Sequence, residues 1–509
     1  MIEQMFDDYL KRNGVQAATG LTIYDFYNTP YDGAGYKHRS MRNWNPPPTS
    51  SRTALPQMDR EKLGSRVKDG FRNNGMLRAI ITRARSGAIA GGLQVMPAIA
   101  GEALGLSDEE VEELEETIDD EFAAWSENVS LNGNFTFGEE QELGMASLLV
   151  NGDCFVNTVF EKREGQIYSL RLQIIDAERI STPDGSWESL NLVHGIEFDA
   201  VGYPIAYWVR RANQNDVGLV GNEIYQWDRI PARGELTGRR RFLHIFKRDE
   251  EEQVRGVSFV APIITLVRQL FEYTGAESDA ALLQSLLTFF VYDEASPERY
   301  GPTPSDAQEK LRQEFTLGRG AMVQLGPGKK VEMANPLRPN QSFEQFVTTI
   351  MRLITSAVEI PLDEVLLRFE TSYSSARASM EKAWTFYRCK GNFFARHFCQ
   401  LIYELWFDEA VALGRLPHIR GYTDPFRRKL YTEADWLQQR AGAIDEEREV
   451  NAAQKRIRAG LSSIPREAGL LGLNWKKMQN QQRRAQRRAE RLGLIIERLE
   501  EMEPLKLEG

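Results

Sequence analysis

The chain has 509 residues, of which 42% are hydrophobic and 10% aromatic, enough apolar material for sizeable cores. Its formal net charge of −10 argues against tight DNA binding, because phosphate neutralisation supplies most of such affinity. No apolar run reaches the roughly 18 residues of a membrane span, and the acidic N-terminus lacks the apolar core of a signal peptide. The three cysteines form no disulfide framework and suit a reducing compartment.

Residues 1–58 have a composition typical of loops. Asn45–Pro56 carries the sequence NPPPTSSRTALP, which predicts a stiff, polar connector. Aromatic residues such as Tyr24 and Trp44 argue against a purely solvated tail. We therefore interpret this segment as an arm that docks either on its own body or on a neighbouring molecule.

The next segment, residues 60–96, is predicted to be mainly helical until Gly91 and Gly92. Asp108–Trp125 has the pattern of an acidic amphipathic helix, and Ser107 is a candidate N-cap.

A β-rich region follows, with strand-like runs in residues 169–180, 191–211 and 241–248 between Gly, Pro, Asn and Asp breakers. His194 and His244 lie inside apolar runs with no second ligand at metal spacing, so we interpret them as core histidines. Arg239, Arg240 and Arg241 favour a solvated strand end that faces acidic residues, with phosphate contact as the alternative.

The centre of the chain predicts two long helices that flank a small β-containing unit. Pro262 suits a helix start, and apolar residues recur at helical spacing through Leu287, giving a rod of about 28 residues and ~40 Å. Three prolines in residues 296–306 break it, and residues 307–315 favour a short helix. Ala321–Ala334 predicts a β-hairpin that turns at Gly326, Pro327 and Gly328.

The second long helix is predicted over residues 341–360. Ser342 can cap it, with Gln345 at the capping-box position, and Pro361 ends it. Residues 361–373 form a connection, after which Ser374 or Ser375 can start a further helix.

Beyond this point the chain is predicted to be helical. Residues 386–411 are dense in aromatic side chains and belong in a core; His397 there is interpreted as a structural residue, and Cys389 and Cys399 as buried small apolar residues rather than metal ligands. Residues 432–505 are charged and poor in aromatics. One basic stripe at helical spacing is either a solvated face or a DNA contact: Arg484, Arg487, Arg488 and Arg491.

Motifs of known catalytic chemistry are absent from the sequence. Gly328-Lys329-Lys330 lacks the remaining positions of a P-loop, and there is no HExxH, GxSxG, EF-hand or CxxC motif. Ser379 and Lys382 match SxxK without its companion motifs. We therefore expect no enzymatic activity, no metal and no cofactor. A DNA-processing enzyme, such as a nuclease or packaging ATPase, would require carboxylate clusters or phosphate loops.

Several segments, in one order and over roughly residues 60–400, resemble the lambda-type portal proteins of tailed bacteriophages. They are Asn73–Gly75, Asn151–Phe155, Ile175–Ile180, Gly195–Asp199, Arg255–Pro262, Ile360-Pro361 and Tyr373–Ala378.

The resemblance implies an α+β portal fold that is mostly helical with a β-rich wing. Its parts would be an N-terminal arm (1–58), wing (59–257), first stem helix (258–292), clip (293–340), second stem helix (341–360), tunnel loop (361–373), wing helix and return (374–430), and helical crown with C-terminal tail (431–509).

The resemblance further implies a subunit of a ring, twelve in number, at one capsid vertex. The ring would pass double-stranded DNA without reading its sequence and dock the terminase large subunit and later the tail adaptor proteins. The major capsid protein and scaffold would be further partners, in the virion and, during assembly, in the host cytoplasm. A minor capsid or scaffold protein without a channel is the alternative, but it does not explain the helix–clip–helix order.

Three sets of residues carry these expectations, and all are named by the resemblance. The tunnel loop would contribute Leu362, Asp363, Leu366, Arg368, Phe369 and Glu370 to the channel; a packed helix connector in the wing is its alternative. The clip would use Val323, Gly326, Pro327, Gly328 and Lys329 for assembly and terminase docking. The crown arginines 484, 487, 488 and 491 would contact packaged DNA.

Overall fold

The computed structural model describes residues 50–52, 55–184, 186, 189–213, 225–285, 343–368, 373–438 and 446–471, the isolated residues 475, 478 and 479, and the backbone of 289–293 and 329–333. The chain divides into two compact units. The first comprises residues 1–56 and 249–253, where the Glu252 N–H donates to the Ser51 hydroxyl. The second comprises residues 57–248 and 254–509 and contains all the elements below.

The described helices follow in chain order: α1 (Gln57–Asn73), α2 (Gly75–Ile89), α3 (Gly101–Leu104), α4 (Asp108–Ser126), α5 (Phe137–Asn151), α6 (Ile264–Ser285), α7 (Phe343–Ala357), α8 (Leu362–Leu366), α9 (Tyr373–Phe394), α10 (Gln400–Ala412), α11 (Pro425–Tyr431), α12 (Glu446–Arg458) and α13 (Ile464–Leu470). A π-helical segment, Ala395–Cys399, joins α9 to α10.

The described strands are β1 (Gln94–Pro97), β2 (Asp153–Phe160), β3 (Leu170–Ile175), β4 (Leu192–Val193), β5 (Ile196–Phe198), β6 (Pro204–Arg210), β7 (Trp227–Pro231), β8 (Phe242–Phe246), β9 (Phe289–Asp293), β10 (Lys329–Met333) and β11 (Ala434–Leu437). The architecture is thus α+β.

Capping residues mark the positions at which several helices begin. Ser107 and Glu110 form a capping box at α4, which confirms the predicted cap. The predicted helical run from residue 60 is interrupted at Asn74, whose side chain accepts a hydrogen bond from the Leu77 N–H and starts α2. Pro262 lies in the 3₁₀ turn that leads into α6, as predicted.

Two antiparallel sheets form the β-rich region. The first has the strand order β3-β2-β8, with Phe155 opposite both Ile175 and His244. The second has the order β4-β5-β6-β7, and a separate apolar cluster lies between the sheets around Phe155, Tyr207 and Phe242. His244 stacks on Phe155 with ring centroids 4.3 Å apart, so its assignment to the core is confirmed.

The main core contains an aromatic cluster that lies between α4, α5 and α10. Phe122 packs against Tyr403 and Trp406 at centroid distances of 5.5 and 5.0 Å. Tyr403 and Trp406 belong to the helical stretch that was predicted to lie in a core, which confirms that prediction. Cys399 is buried as predicted, but the prediction for Cys389 is wrong, because its side chain lies on an exposed face of α9.

Two predictions about helix extent are also wrong. The first long helix ends at Ser285, and Phe289–Asp293 is strand β9, which pairs antiparallel with β10. The run FFVYD is aromatic and β-branched, a composition that fits a strand once a partner is available. The C-terminal region is not wholly helical either, since β11 pairs with β1.

The two long helices α6 and α7 pack together through aromatic contacts. The Tyr273 ring lies 5.8 Å from Phe343 and 4.9 Å from Phe346. Within the described ranges, no helix is long and apolar enough to cross a membrane.

Candidate functional site

The connection between α7 and α9 begins with a sharp turn rather than an open loop. Helix α7 ends before Glu359, whose φ of 57° places a non-glycine residue in the left-handed region. Pro361 then precedes the short helix α8. The residue after this helix, Leu367, has a φ of 55° and is also in the left-handed region. The Arg368 N–H donates to the Asp363 carbonyl at 3.0 Å and closes the turn.

Two contacts attach this turn to the body of the protein. Val365 is buried, and the Tyr387 hydroxyl donates to Glu364 Oε1 at 2.8 Å. The Tyr387 ring lies against Gly87 of α2, where a Cβ atom would approach the ring to 2.6 Å. Burial, together with the neighbouring Glu364 carboxylate, raises the pKa of Tyr387. The first half of the connection is therefore a fixed, packed element.

The second half of the turn faces solvent. Leu366 and Leu367 are 45% and 63% exposed, and Arg368 is exposed as well. Leu362 and Asp363 are half-buried. The predicted channel residues thus do not share one environment: three consecutive residues at the C-terminal end of α8 form the exposed part. Phe369 and Glu370 lie outside the described residues.

Of the predicted clip residues, only Lys329 falls in the described part of the chain, where it starts β10 opposite Asp293. Val323, Gly326, Pro327 and Gly328 lie outside it, as does the predicted strand at 321–325. The crown arginines, Arg484, Arg487, Arg488 and Arg491, are also outside the described residues.

The segments Asn151–Phe155 and Arg255–Pro262 meet where the β-rich region gives way to α6. Gly152 has a φ of 83°, and its carbonyl carbon and oxygen lie against Gly256 so closely that a Cβ on Gly256 would be 1.9 Å from that oxygen. Only glycine fits at such a backbone crossing. We call this crossing, with Asp153, His244 and Arg255, the buried joint.

A network of charged side chains holds the buried joint together. Asp153 is fully buried and accepts hydrogen bonds from Arg255 Nε at 2.7 Å, His244 Nε2 at 2.9 Å and the Gly256 N–H at 2.6 Å. The Arg255 guanidinium also donates to the carbonyls of Ala177, Ile180 and His194, and it lies 4.8 Å from the Phe155 ring centroid.

The protonation states in this network follow from its geometry. Burial by itself would raise the pKa of Asp153, but the Arg255 charge and the His244 hydrogen bond outweigh it and hold that pKa below its usual range. Burial lowers the pKa of His244, so the imidazole is neutral at pH 7. Its contact with Asp153 is therefore a hydrogen bond that Nε2 donates and not a salt bridge. The joint is a charged Asp153–Arg255 pair with a neutral histidine.

One feature of the sequence indicates a buried ion pair at this joint, although it is not a recognised motif. Asp153 opens the apolar strand DCFVNTVF, and a carboxylate in such a strand requires a buried cationic partner. Nothing local identifies Arg255, 102 positions away, as that partner.

The described residues show no group of three or more His, Cys, Asp or Glu side chains that could hold a metal ion.

The model of the phage portal protein, lambda family, matches residues 37–390 of the chain. The chain belongs to this family. Portal protein B of Escherichia phage lambda is 23% identical over 498 residues, covering 92% of this chain and 91% of that protein. The portal protein of Escherichia phage N15 is 23% identical over 511 residues, with coverage of 94% and 93%. Portal proteins of this family are structural components of the virion.

Among solved structures, a chain in the neck of the native gene transfer agent particle, computed with C12 symmetry, is similar. It is 13% identical with a TM-score of 0.43, and the match covers 83% of this chain and 96% of that one. A chain from the virion of the native particle is 14% identical with a TM-score of 0.42, covering 80% and 92%.

Proposed function

We propose that the chain is the subunit of a closed ring of twelve at one capsid vertex, through which double-stranded DNA is packaged and later ejected. The observation that carries this proposal is the family match over residues 37–390, which spans both long helices and the turn that follows the second of them. A ring of identical subunits requires a heterologous interface that closes on itself.

The exposed turn at Leu366–Arg368 would line the channel. Its anchoring by Val365 and the Glu364–Tyr387 bond supports this role, because a channel constriction must keep its position while DNA moves past it. The exposed residues are Arg368 and two leucines, Leu366 and Leu367. A single cation among apolar side chains favours weak contact with the phosphate backbone and gives no sequence-specific contact with the bases. The net charge of −10 also suits a duplex that slides rather than binds.

The two-stranded β9–β10 sheet would form part of the clip. In the described part of the chain this sheet has two strands, and a strand from a neighbouring subunit or a docking protein would extend it at an edge by backbone hydrogen bonds. The terminase large subunit and then tail adaptors would bind there, while the major capsid protein and scaffold contact the ring from outside. ATP hydrolysis for packaging would come from the terminase.

Negative-stain microscopy of the purified protein tests the ring directly: rings with a central hole are expected. A minor capsid or scaffold protein without a channel would give none. ATPase or nuclease turnover that co-purifies with the ring and disappears on a point mutation in this chain would favour the enzyme alternative.

The channel assignment is tested with the double variant Leu366→Ala/Arg368→Ala in assembled particles. Rings should form normally, while the fraction of DNA-filled heads counted by microscopy falls. The variant Leu413→Ala/Arg396→Ala removes the same residue types from exposed positions elsewhere and serves as the control. Normal DNA filling, or failure of the double variant to form rings, would contradict the assignment.

A further inference from the structure

A cleft rich in arginine lies between the β7–β8 connection and α10. It encloses about 230 Å³, and we call it the arginine cleft. Its charged lining consists of four arginines and two carboxylates: Arg233, Arg239, Arg240, Arg428, Glu404 and Asp408. The excess of two positive charges is unusual for a protein whose net charge is −10.

The two carboxylates already have close partners within the cleft. Arg428 binds Asp408 with Nε–Oδ1 and Nη2–Oδ2 distances of 2.7 and 3.0 Å, and Arg240 Nη1 lies 3.1 Å from Glu404. Arg239 is only loosely placed, 3.9 Å from Asp408. The Arg233 guanidinium donates to the Gly238 carbonyl at 3.1 Å and, at 3.4 Å, to the Tyr203 hydroxyl, and it has no ion-pair partner among the described residues. Arg233 and Arg239 therefore have donors available for a further anion.

An acidic surface lies on the other side of the same part of the protein. Helix α4 buries Leu114, Ile118, Phe122 and Trp125. Its opposite face exposes four carboxylates without ion-pair partners in the described part of the chain: Glu109, Glu112, Glu116 and Asp120. At ~1.5 Å per residue this acidic stripe is roughly 16 Å long.

Helix α10 separates the two surfaces. Leu401, Glu404, Leu405 and Asp408 line the arginine cleft, whereas Tyr403 and Trp406 project from the opposite face and pack against Phe122 of α4. At about 100° per residue these two sets lie on opposite sides of α10. Since the acidic stripe faces away from α10, the cleft and the stripe of one molecule point in opposite directions and cannot meet within it.

We propose that the arginine cleft of one copy receives the acidic stripe of the next copy in the ring. This inference rests on the proposed ring. A heterologous interface joins two different surfaces of identical subunits, and complementary charge on opposite sides of each subunit provides such a pair. Guanidinium–carboxylate contacts from Arg233 and Arg239 to Glu112 and Glu116 would set the register.

A second copy explains the cleft better than nucleic acid does. Arg240 and Arg428 already pair with Glu404 and Asp408, so only two cations of the cleft, Arg233 and Arg239, remain to be matched by an incoming anion. A volume of 230 Å³ accommodates one or two carboxylate side chains but not a duplex. The stripe supplies carboxylates from successive helical turns.

Two charge-reversal variants test the inference. The cleft variant is Arg233→Glu/Arg239→Glu, which leaves the internal pairs of Arg240 and Arg428 intact. The stripe variant is Glu112→Arg/Glu116→Arg. Each should raise the protein concentration needed for half-assembly by about tenfold or more, because like charges facing each other across an interface are strongly unfavourable. Ring formation is measured by light scattering coupled to size exclusion and by negative-stain microscopy.

The mixture of the two variants supplies the decisive result. Alternating rings contain only matched interfaces: acidic cleft against basic stripe, and basic cleft against acidic stripe. The equimolar mixture should therefore assemble at near wild-type concentration although neither variant does alone. A control variant, Arg66→Glu/Arg72→Glu, makes the same charge change on exposed positions of α1 and should assemble normally.

The outcomes distinguish this inference from the ring itself. Absence of rings in the wild type would refute the proposed function. Wild-type rings together with normal assembly of both variants, or failure of the mixture when both variants are folded by circular dichroism, would overturn the charge pairing alone. Normal assembly of the cleft variant with weakened binding of a short DNA duplex would assign the cleft to nucleic acid instead.

Discussion

Replacing Asp153 with Asn should destabilise the buried joint severely. The side chain is fully buried, and its charge is matched by Arg255 at 2.7 Å. Asn preserves the shape, but it has one acceptor oxygen where Asp has two, and it leaves the Arg255 charge buried without a counter-ion. Removing one partner of a buried ion pair typically costs about 3–5 kcal/mol. With an m-value of about 3 kcal/mol/M in urea, the unfolding midpoint should fall by roughly 1 M or more.

The matched control is the Arg229–Glu197 pair, which has the same 2.7 Å separation but side chains that are 41% and 27% exposed. Glu197→Gln should cost less than about 1 kcal/mol, because solvent screens the charge that remains. Midpoints are compared by urea titration at one protomer concentration, since assembly contributes to apparent stability.

A double-mutant cycle separates pairing from simple loss of packing. Asp153→Asn/Arg255→Met removes both charges and should be less destabilised than the sum of the single variants by about 2 kcal/mol. A midpoint for Asp153→Asn within about 0.2 M of wild type, or additive single effects, would refute the view that the joint depends on this ion pair.

Further measurements test other parts of the structure. Burial lowers the pKa of His194 to about 3, so only the unfolded chain binds this proton between about pH 6.5 and 3, and stability should fall by about 2 kcal/mol from pH 7 to 5. Thermal unfolding checks this, and His194→Gln should flatten the profile. Tyr387→Phe should speed hydrogen exchange of residues 362–368 without preventing folding; unchanged exchange would contradict the anchoring role of its bond to Glu364. Val331→Pro, but not Val331→Ala, should impair ring assembly or terminase docking, because proline removes a backbone donor from β10. Gly256→Ala should yield insoluble protein, and soluble rings would show that the backbone crossing can relax.

The sequence by itself determined the elements whose causes are local. The Ser107–Glu110 capping box, the Pro262 helix start and the end of α7 before Pro361 all depend on residues within a few positions of each other. Short segments that resemble portal proteins are spread along the chain and were likewise recognisable without structure. They indicated the family to which the chain belongs.

The tertiary structure decided what depends on residues far apart in sequence. Ala434–Leu437 becomes a strand only because Gln94–Pro97 offers a partner, and Phe289–Asp293 leaves its predicted helix to pair with Lys329–Met333. Strand pairing is a non-local interaction that overrides local propensity. For the same reason, sequence could not pair Asp153 with Arg255, nor place the arginine cleft and the acidic stripe on opposite sides of α10.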